Sequence, residues 1–395
     1  MDILFLSHIY PSTYNTVYGI FVHKEIKALV SLGVNCKVIS PVYWVPFPLN
    51  RISTKWQAYA DNPGYAKIDE IEVYYPRYLD FPKALFFSTS GIRMYKGLQK
   101  LFFKLGSLDR FDLIHAHTAL PDGLAGMKLA ERFNIPLFVT IHGQDFQKTI
   151  YKNRLCRQKV NKVLNFAERI IVVSEKLKKI AKNEFGLTKK VKVVHNGINP
   201  DEIASGDIVE TEDFIDRKVI LSVSNLKKTK GNDFNIKAVS ELIPDHPSLM
   251  YLVIGDGPYR NSLEDLTKSL KMENYVMFLG QLKHKKVMDY MQRCDIFSLP
   301  SWQEGFGVVY LEAMAHGKPV IACKGEGIDG VIIHEKTGLL VKPNSVSDLV
   351  KNLSKVLNQP EWARKIGNNA YKKVVPEFSW IESAKSLLSI YEEVI

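Results

Sequence analysis

Apolar and polar positions along the chain fall into two alternating series. In the first half, short runs rich in Val, Ile and Leu read as strands at Ile3–Ser7, Cys36–Ser40, Leu113–His117, Leu137–His142, Ile170–Val173 and Val191–Val194. Between them, apolar residues recur at three- and four-residue spacing over Ile20–Leu32, Gly123–Phe133 and Lys159–Glu168, which predicts amphipathic helices. Continuously apolar strands alternating with helices imply a parallel sheet covered on both faces. The second half repeats the pattern, with strands at Val219–Val223, Leu249–Ile254, Val276–Leu279 and Ile296–Leu299. The fold class is therefore α/β, with two doubly wound, Rossmann-like domains. Such sheets bind ligands at the carboxyl ends of their strands, so the chemistry is sought in the loops that follow them.

Two stretches interrupt the alternation. Residues 41–110 are rich in aromatics and prolines, as in Pro41-Val42-Tyr43-Trp44-Val45-Pro46-Phe47-Pro48. Within them, Phe81–Leu105 sets an apolar stripe (Met94, Leu98, Leu101, Phe102) beside Arg93, Lys96, Lys100 and Lys104. That pattern suits a helix lying on an anionic bilayer, and also a helix packed on the sheet, which is the preferred reading. The second interruption follows the Asn196-Gly197 turn, where Pro200–Arg217 is acidic and lacks apolar periodicity, as a linker would. The expected domains are residues 1–199 and 218–377, joined by a linker at 200–217. A terminal helix over 378–395 carries Ala384, Leu387, Leu388, Tyr391 and Val394 on one stripe.

Composition narrows the function. A length of 395 residues suits two domains, and 46% hydrophobic with 24% charged residues is the balance of a soluble globular protein. No apolar run reaches the roughly 18–20 residues that span a bilayer. Met1-Asp2-Ile3-Leu4 puts an acid where a signal peptide has lysines, so the expected location is cytoplasmic, with peripheral attachment to the inner face of the plasma membrane. Cys36, Cys156, Cys294 and Cys323 show no pairing or metal-ligand spacing and read as reduced, buried thiols. Residues 1–200 hold 29 Lys and Arg against 15 Asp and Glu, whereas residues 201–395 hold 24 against 27. The basic half lacks any helix-turn-helix, zinc or RNA-binding motif, which argues against nucleic acid as partner. An anionic membrane surface or a phosphorylated acceptor fits better.

The densest chemistry lies at Glu304-Gly305-Phe306-Gly307-Val308-Val309-Tyr310-Leu311-Glu312. The Asp295–Pro300 strand leads into two glycines that open a helix, which Gly317 and Pro319 close. A glycine-rich loop feeding a helix N-terminus binds anions through unpaired N–H groups and the positive end of the helix dipole. Glu304 and Glu312 would repel phosphate, so their natural partners are hydroxyls. Phosphate and hydroxyls together indicate a nucleotide sugar. Ser224-Asn225-Leu226-Lys227-Lys228-Thr229-Lys230-Gly231 supplies cations at another strand end, and Gly255-Asp256-Gly257-Pro258 opens a further helix. Arg260 stands where a dinucleotide fingerprint needs its third glycine, so hydride chemistry is not indicated. In the first half, Tyr18-Gly19 ends the first loop. His115 and His117 share a sheet face with His117 at the carboxyl end, and Thr140-Ile141-His142-Gly143-Gln144-Asp145 ends the next strand. His115 reads as a core histidine satisfied by backbone. No Asp-x-Asp stands at a strand end, and no metal or other cofactor is expected.

Glu304, seven residues and Glu312, with Gly-Phe-Gly inside and Ala313 behind, resemble the signature of the retaining family 4 glycosyltransferases. The resemblance runs from Ser7-His8-Ile9-Tyr10-Pro11 to Phe378-Ser379-Trp380 and is strongest to bacterial cell-surface polysaccharide enzymes of the teichuronic acid kind. It implies a GT-B architecture, two facing Rossmann-like domains with a cleft between them, the terminal helix crossing back to the first. It implies a metal-independent hexosyltransferase, moving sugar from a UDP- or GDP-linked donor in the second domain. The acceptor would be a glycan or lipid-linked saccharide on the first domain. Glu312 would hold ribose hydroxyls and Glu304 the donor sugar, with backbone from Gly305, Phe306, Gly307 and Val308 against sugar and phosphate. Lys230 would stabilise the departing diphosphate. Gly19 matches the second of two family glycines near the donor phosphates, Tyr18 replacing the first. His117 matches a functional histidine, with His142 and Asp145 as acceptor-side candidates and Gly255 and Gly257 on the donor side. Asn225 stands where the family has an arginine, so one cation of the clamp is lost, with Lys227 and Lys228 beside it. Two rivals share the architecture: a nucleotide-sugar epimerase or hydrolase that needs no acceptor, and a non-catalytic carbohydrate-binding subunit that would have lost the site. A glycogen-type phosphorylase would need a pyridoxal phosphate lysine and a longer chain.

Overall fold

The structure, a computed structural model, describes residues 1–105, 111–204 and 216–395. Most of the stretch expected as linker lies outside them, as does the side chain of Lys104. The chain forms two compact units, Met1–Asn196 with Trp380–Ile395, and Gly197–Ser379.

Unit 1 is built on β1 (Asp2–Leu6), β2 (Asn35–Ile39), β3 (Tyr65–Ile68), β4 (Ile71–Tyr74), β5 (Leu113–His117), β6 (Leu137–Ile141), β7 (Arg169–Val172) and β8 (Val191–Val193). The sheet order is β8-β7-β6-β5-β1-β2-β4-β3, parallel except for the β3–β4 hairpin. The chain runs outward from β1 to β2 and then crosses to β5 on the other side. The switch point therefore lies between β1 and β5, whose carboxyl ends carry His8 and His117. Covering helices are α1 (Ile20–Ser31), α2 (Thr54–Asp61), α3 (Ser90–Leu105), α4 (Leu124–Phe133), α5 (Arg154–Phe166) and α6 (Glu175–Phe185). Gly19 caps α1 at φ 70°, and a Cβ there would fall 2.1 Å from the Ile9 carbonyl oxygen, so only glycine fits that turn.

Packing decides the role of the Phe81–Leu105 stretch. Met94, Leu98 and Phe102 are buried, α3 packs on α4, and Lys96 and Lys100 point to solvent. The apolar stripe belongs to the core and does not lie on a bilayer.

Unit 2 is built on β9 (Lys218–Val223), β10 (Leu249–Ile254), β11 (Val276–Gly280), β12 (Ile296–Leu299), β13 (Val320–Cys323) and β14 (Leu339–Val341). All strands are parallel, in the order β11-β10-β9-β12-β13-β14. Here the switch point lies between β9 and β12. Its helices are α7 (Asn232–Leu242), α8 (Arg260–Ser269), α9 (His284–Arg293), α10 (Val308–Ala315), α11 (Val346–Asn358) and α12 (Pro360–Glu377). The last helix, α13 (Trp380–Glu392), returns to unit 1, where Trp380, Ala384, Leu387 and Tyr391 pack into the core beside α1.

Candidate functional site

In unit 2 the loops after β9 and β12 meet back to back at the switch point. Gly231 sits at φ 72°, and a Cβ there would lie 2.3 Å from the Pro300 carbonyl oxygen. Trp302 N–H donates to the Thr229 carbonyl oxygen at 2.8 Å. This contact brings Lys230 Nζ to 2.5 Å from Glu304 Oε2, which also accepts from Ser301 Oγ at 3.0 Å. Both side chains remain partly exposed, so the pair is held without being sealed. Gly307 (φ 91°) starts α10, whose first-turn N–H groups have no acceptor within the helix. Gly305 and Phe306 are buried; the Phe306 ring is a core residue, leaving only its backbone for a ligand. Glu312 accepts from His284 Nε2 at 2.9 Å. Gly255 and Gly257 fit closely under the β9 loop: a Cβ at either would strike Ser224 or Leu226. Asn225 lies beside Gly257, and Asn225, Lys227 and Lys228 are all exposed.

Sequence reasoning missed two supports of this site. Glu326 Oε2 accepts the Glu304 backbone N–H at 2.7 Å, and a Cβ at Gly327 would strike the Gly305 carbonyl oxygen. Beneath the loops, Asn235 donates to Tyr251 Oη at 3.1 Å and to the Ser298 carbonyl at 2.9 Å, while Tyr251 donates to Asn232 Oδ1 at 2.9 Å. This buried network ties α7 to β9, β10 and β12 and fixes the direction of both loops. No local pattern announces it, because its members, which include Ser222 on β9, run from Ser222 to Ser298, 76 positions apart.

In unit 1 the polar groups at the strand ends are buried. His115 is a core histidine, but its partners are side chains and not backbone. Tyr391 Oη lies 2.5 Å from Nδ1 and Thr140 Oγ1 2.7 Å from Nε2. His117 stacks between His115 and His142, with Nδ1 3.0 Å from His142 Nε2. Glu25, on α1, brings Oε1 to 3.6 Å from His117 Nε2, and neither atom has a hydrogen-bond partner among the described residues. Burial pushes His115 and His142 down to about 3, His117 well below its ordinary value, and Glu25 up to about 8. Glu25, His115 and His117 can each bring one atom within 4.8 Å of the others. Both His115 nitrogens are already committed, which leaves two donors, fewer than a protein metal site ordinarily uses.

Asp145 is not an exposed loop residue. It is buried, and its Oδ1 accepts the Ala119 and Leu120 N–H groups at 3.1 and 3.3 Å, while burial pushes its carboxyl up to about 7. Through these contacts it shapes the loop after β5. Asp122, also buried, holds His8 through Oδ2 at 2.7 Å and the His8 N–H through Oδ1 at 3.0 Å. Burial opposes protonation of His8, but the Asp122 carboxylate outweighs it and raises the imidazole above its usual value.

Two Rossmann-like units, the second with a cation and a carboxylate paired at its switch point beside a glycine-opened helix, define a protein of the GT-B class. The chain matches the Glycosyltransferase Family 4 domain over residues 19–202 and the Glycosyl transferases group 1 domain over residues 208–373. It belongs to the glycosyltransferases built from these two domains. It is 27% identical to TuaC of Bacillus subtilis (strain 168), a glycosyltransferase named for teichuronic acid biosynthesis, over 100% of this chain and 99% of the relative. Its fold is that of the sucrose-phosphate synthase from Thermosynechococcus elongatus (TM-score 0.81, 21% identity, 100% of this chain and 99% of that one). It is also that of Anabaena HepE, solved in complex with UDP and glucose (TM-score 0.76, 19% identity, 100% of both chains).

Proposed function

We propose that the protein is a retaining glycosyltransferase that moves a hexose from a UDP- or GDP-linked donor, bound by unit 2, to a hydroxyl of a glycan or lipid-linked acceptor, bound by unit 1. The observation that carries this reading is the Lys230–Glu304 pair at the unit 2 switch point. Each side chain neutralises the other until a donor arrives; the diphosphate then takes Lys230 and the sugar hydroxyls take Glu304. Glu312 holds the ribose hydroxyls, with His284 orienting its carboxylate. In the reaction the bond from the anomeric carbon to the diphosphate oxygen breaks and the acceptor oxygen bonds to that carbon. The acceptor proton leaves with the diphosphate. Lys230 and the α10 N-terminus stabilise the charge that grows on the departing group.

The reading needs no divalent cation, since Lys230 and the α10 N-terminus carry the neutralising charge; turnover is expected to survive excess chelator. In unit 1, His142 presents the imidazole nearer the surface, with His117 behind it fixing the ring. An anionic membrane remains the proposed docking partner, but through a different surface than α3. Phe47, Ile52, Leu85 and Phe86 are each more than half exposed, next to Arg51 and Lys83, as expected of side chains that enter a lipid interface. No helix among the described residues is long and apolar enough to cross a membrane.

The test is incubation with a panel of UDP- and GDP-sugars and lipid extracts, read by product mass spectrometry, with the anomeric configuration of the product taken by NMR. Transfer to an extracted acceptor with retention is expected. Donor isomerised or hydrolysed at full rate without acceptor would make the protein an epimerase or hydrolase instead.

A further inference from the structure

Two cavities of unit 1 share a wall. The first, about 600 Å³, opens beside His8 just past the carboxyl end of β1 and is lined by Tyr14, Tyr18, Tyr43 and Tyr59. The second, about 500 Å³, is lined by Trp44, Trp56, Leu79, Phe81 and Phe87. Tyr43, Lys55 and Tyr59 line both.

The two differ in chemistry. In the first, the rings meet edge to face, Tyr14 with Tyr59 and Tyr43 with Tyr59, each at 5.2 Å between centroids. Burial raises the phenols of Tyr14, Tyr18, Tyr43 and Tyr59, so they stay neutral hydroxyls able to donate and accept. Aromatic faces with hydroxyl tips suit a saccharide, whose C–H faces stack on rings while its hydroxyls find partners. In the second, Trp44, Leu79 and Phe81 stay more than a third exposed. A soluble protein rarely leaves such a surface uncovered. Its one carboxylate, Asp80, is already paired with Arg93. Lys55 and Lys83, which also line it, have no carboxylate partner among the described residues. Lys55 rests near the Tyr59 ring, 5.8 Å from its centroid, at the boundary between the two cavities.

We infer that the two cavities form one site for an amphiphilic acceptor, with the saccharide among the tyrosines, a phosphate or diphosphate at Lys55, and a hydrocarbon chain along the tryptophans. The order sugar, anion, chain follows from the order hydroxylated rings, cation, apolar rings along the shared wall. The exposed Phe47 and Phe86 continue the apolar surface outward, where the chain of a membrane-held lipid would enter. This inference rests on the reading of unit 1 as the acceptor-binding unit and names the class of acceptor.

The experiment titrates the intact chain, without donor, with N-acetylglucosamine linked through a diphosphate to a farnesyl chain, following quenching of tryptophan fluorescence. N-acetylglucosamine 1-phosphate and farnesyl phosphate serve as its two halves. The whole amphiphile is expected to bind at least tenfold tighter than either half. Lys55→Glu should weaken the amphiphile and both halves tenfold or more, whereas Trp44→Ala should weaken only the two ligands that carry a chain. Equal affinity for the amphiphile and the sugar phosphate, absence of quenching by the amphiphile, or unchanged binding in both variants would overturn the proposal. UDP binding, measured by calorimetry on the same samples, reports on unit 2. A chain that binds UDP but not the amphiphile fails only this inference; one that binds the amphiphile but no nucleotide fails only the transferase reading.

Discussion

At the carboxyl edge of its sheet, unit 1 buries His115, His117, Asp122 and Asp145, whereas at the matching edge unit 2 leaves Lys230, Glu304 and Glu312 partly exposed. The topologies are alike, and the polar groups stand at equivalent switch points, so the difference lies in what covers them. Burial in unit 1 favours uncharged forms: imidazoles that resist protonation and carboxyls that resist ionisation. In unit 2, Lys230 and Glu304 pair with each other, and both keep some contact with water. A part-exposed ion pair contributes little to stability, so a ligand can replace either partner at small cost. Apart from the His8–Asp122 pair, the strand ends of unit 1 thus offer shape and neutral hydrogen bonding, and those of unit 2 offer exchangeable charge.

The largest expected effect tests the charge of unit 2. Lys230→Ala should lower kcat by about 10²–10³-fold, the usual result of removing one preorganised donor to a developing anion. Rapid-quench assays measure it, and a loss under fivefold would break the contrast between the units. Next, Glu312→Ala should weaken UDP binding by about 1–3 kcal/mol, the worth of a lost charged hydrogen bond. Glu304→Ala should spare UDP affinity and cut turnover. Calorimetry showing equal weakening in both variants would remove the division between ribose and sugar contacts.

A smaller effect tests the neutrality of unit 1. Folding raises the Glu25 pKa from 4.5 to about 8, so between those values the folded chain keeps a proton that the unfolded chain has lost. The stability this contributes is present below pH 4.5 and is lost as pH rises toward 8. His115 and His142, whose pKa values folding lowers, act in the opposite sense only below their ordinary value of 6.5. From pH 6.5 to 8, Glu25→Gln should therefore reduce the fall in unit 1 stability by about 1–2 kcal/mol. Hydrogen exchange of β5 and β6 amides reads it, and identical slopes in both proteins would show Glu25 already ionised. The smallest effect concerns the membrane. Lys96→Glu with Lys100→Glu should change flotation with anionic vesicles by less than about 1 kcal/mol per lysine, the full worth of a lysine at the surface. Phe47→Ser with Phe86→Ser should weaken flotation more than the lysine pair does. The reverse ranking would return the membrane face to α3.

Most strands were legible because a strand buried on both faces needs an unbroken Val-, Ile- and Leu-rich run. β1, β5 and β9 lie within a residue of the positions read from such runs. The β3–β4 hairpin was not, since its turn uses Asp69 and Glu70 at positive φ with no glycine or asparagine to mark it. Glu304, Lys230 and Glu312 stood out as candidates because each lies in or just beyond a glycine-marked loop that is local in sequence. Glu25 was invisible, because a glutamate on an amphipathic helix reads as a solvent-facing residue until the sheet beneath it is known. The burial of Asp145 was hidden for the converse reason: its partners, the Ala119 and Leu120 amides, belong to another loop.

The return of α13 to unit 1 bears on the order in which the molecule is made. Unit 2 is one continuous stretch, Gly197–Ser379, and its core can close as soon as it has emerged from the ribosome. Unit 1 cannot. Tyr391, whose hydroxyl meets His115, belongs to the last sixteen residues, and until they emerge Val22, Ile26 and Leu29 on α1 lack part of their cover. Translation at roughly 5–20 residues per second puts on the order of 10–40 s between the end of the first segment and the arrival of its missing helix. The half of the protein synthesised first is the half completed last, and during that interval a chaperone would find its apolar surface on unit 1.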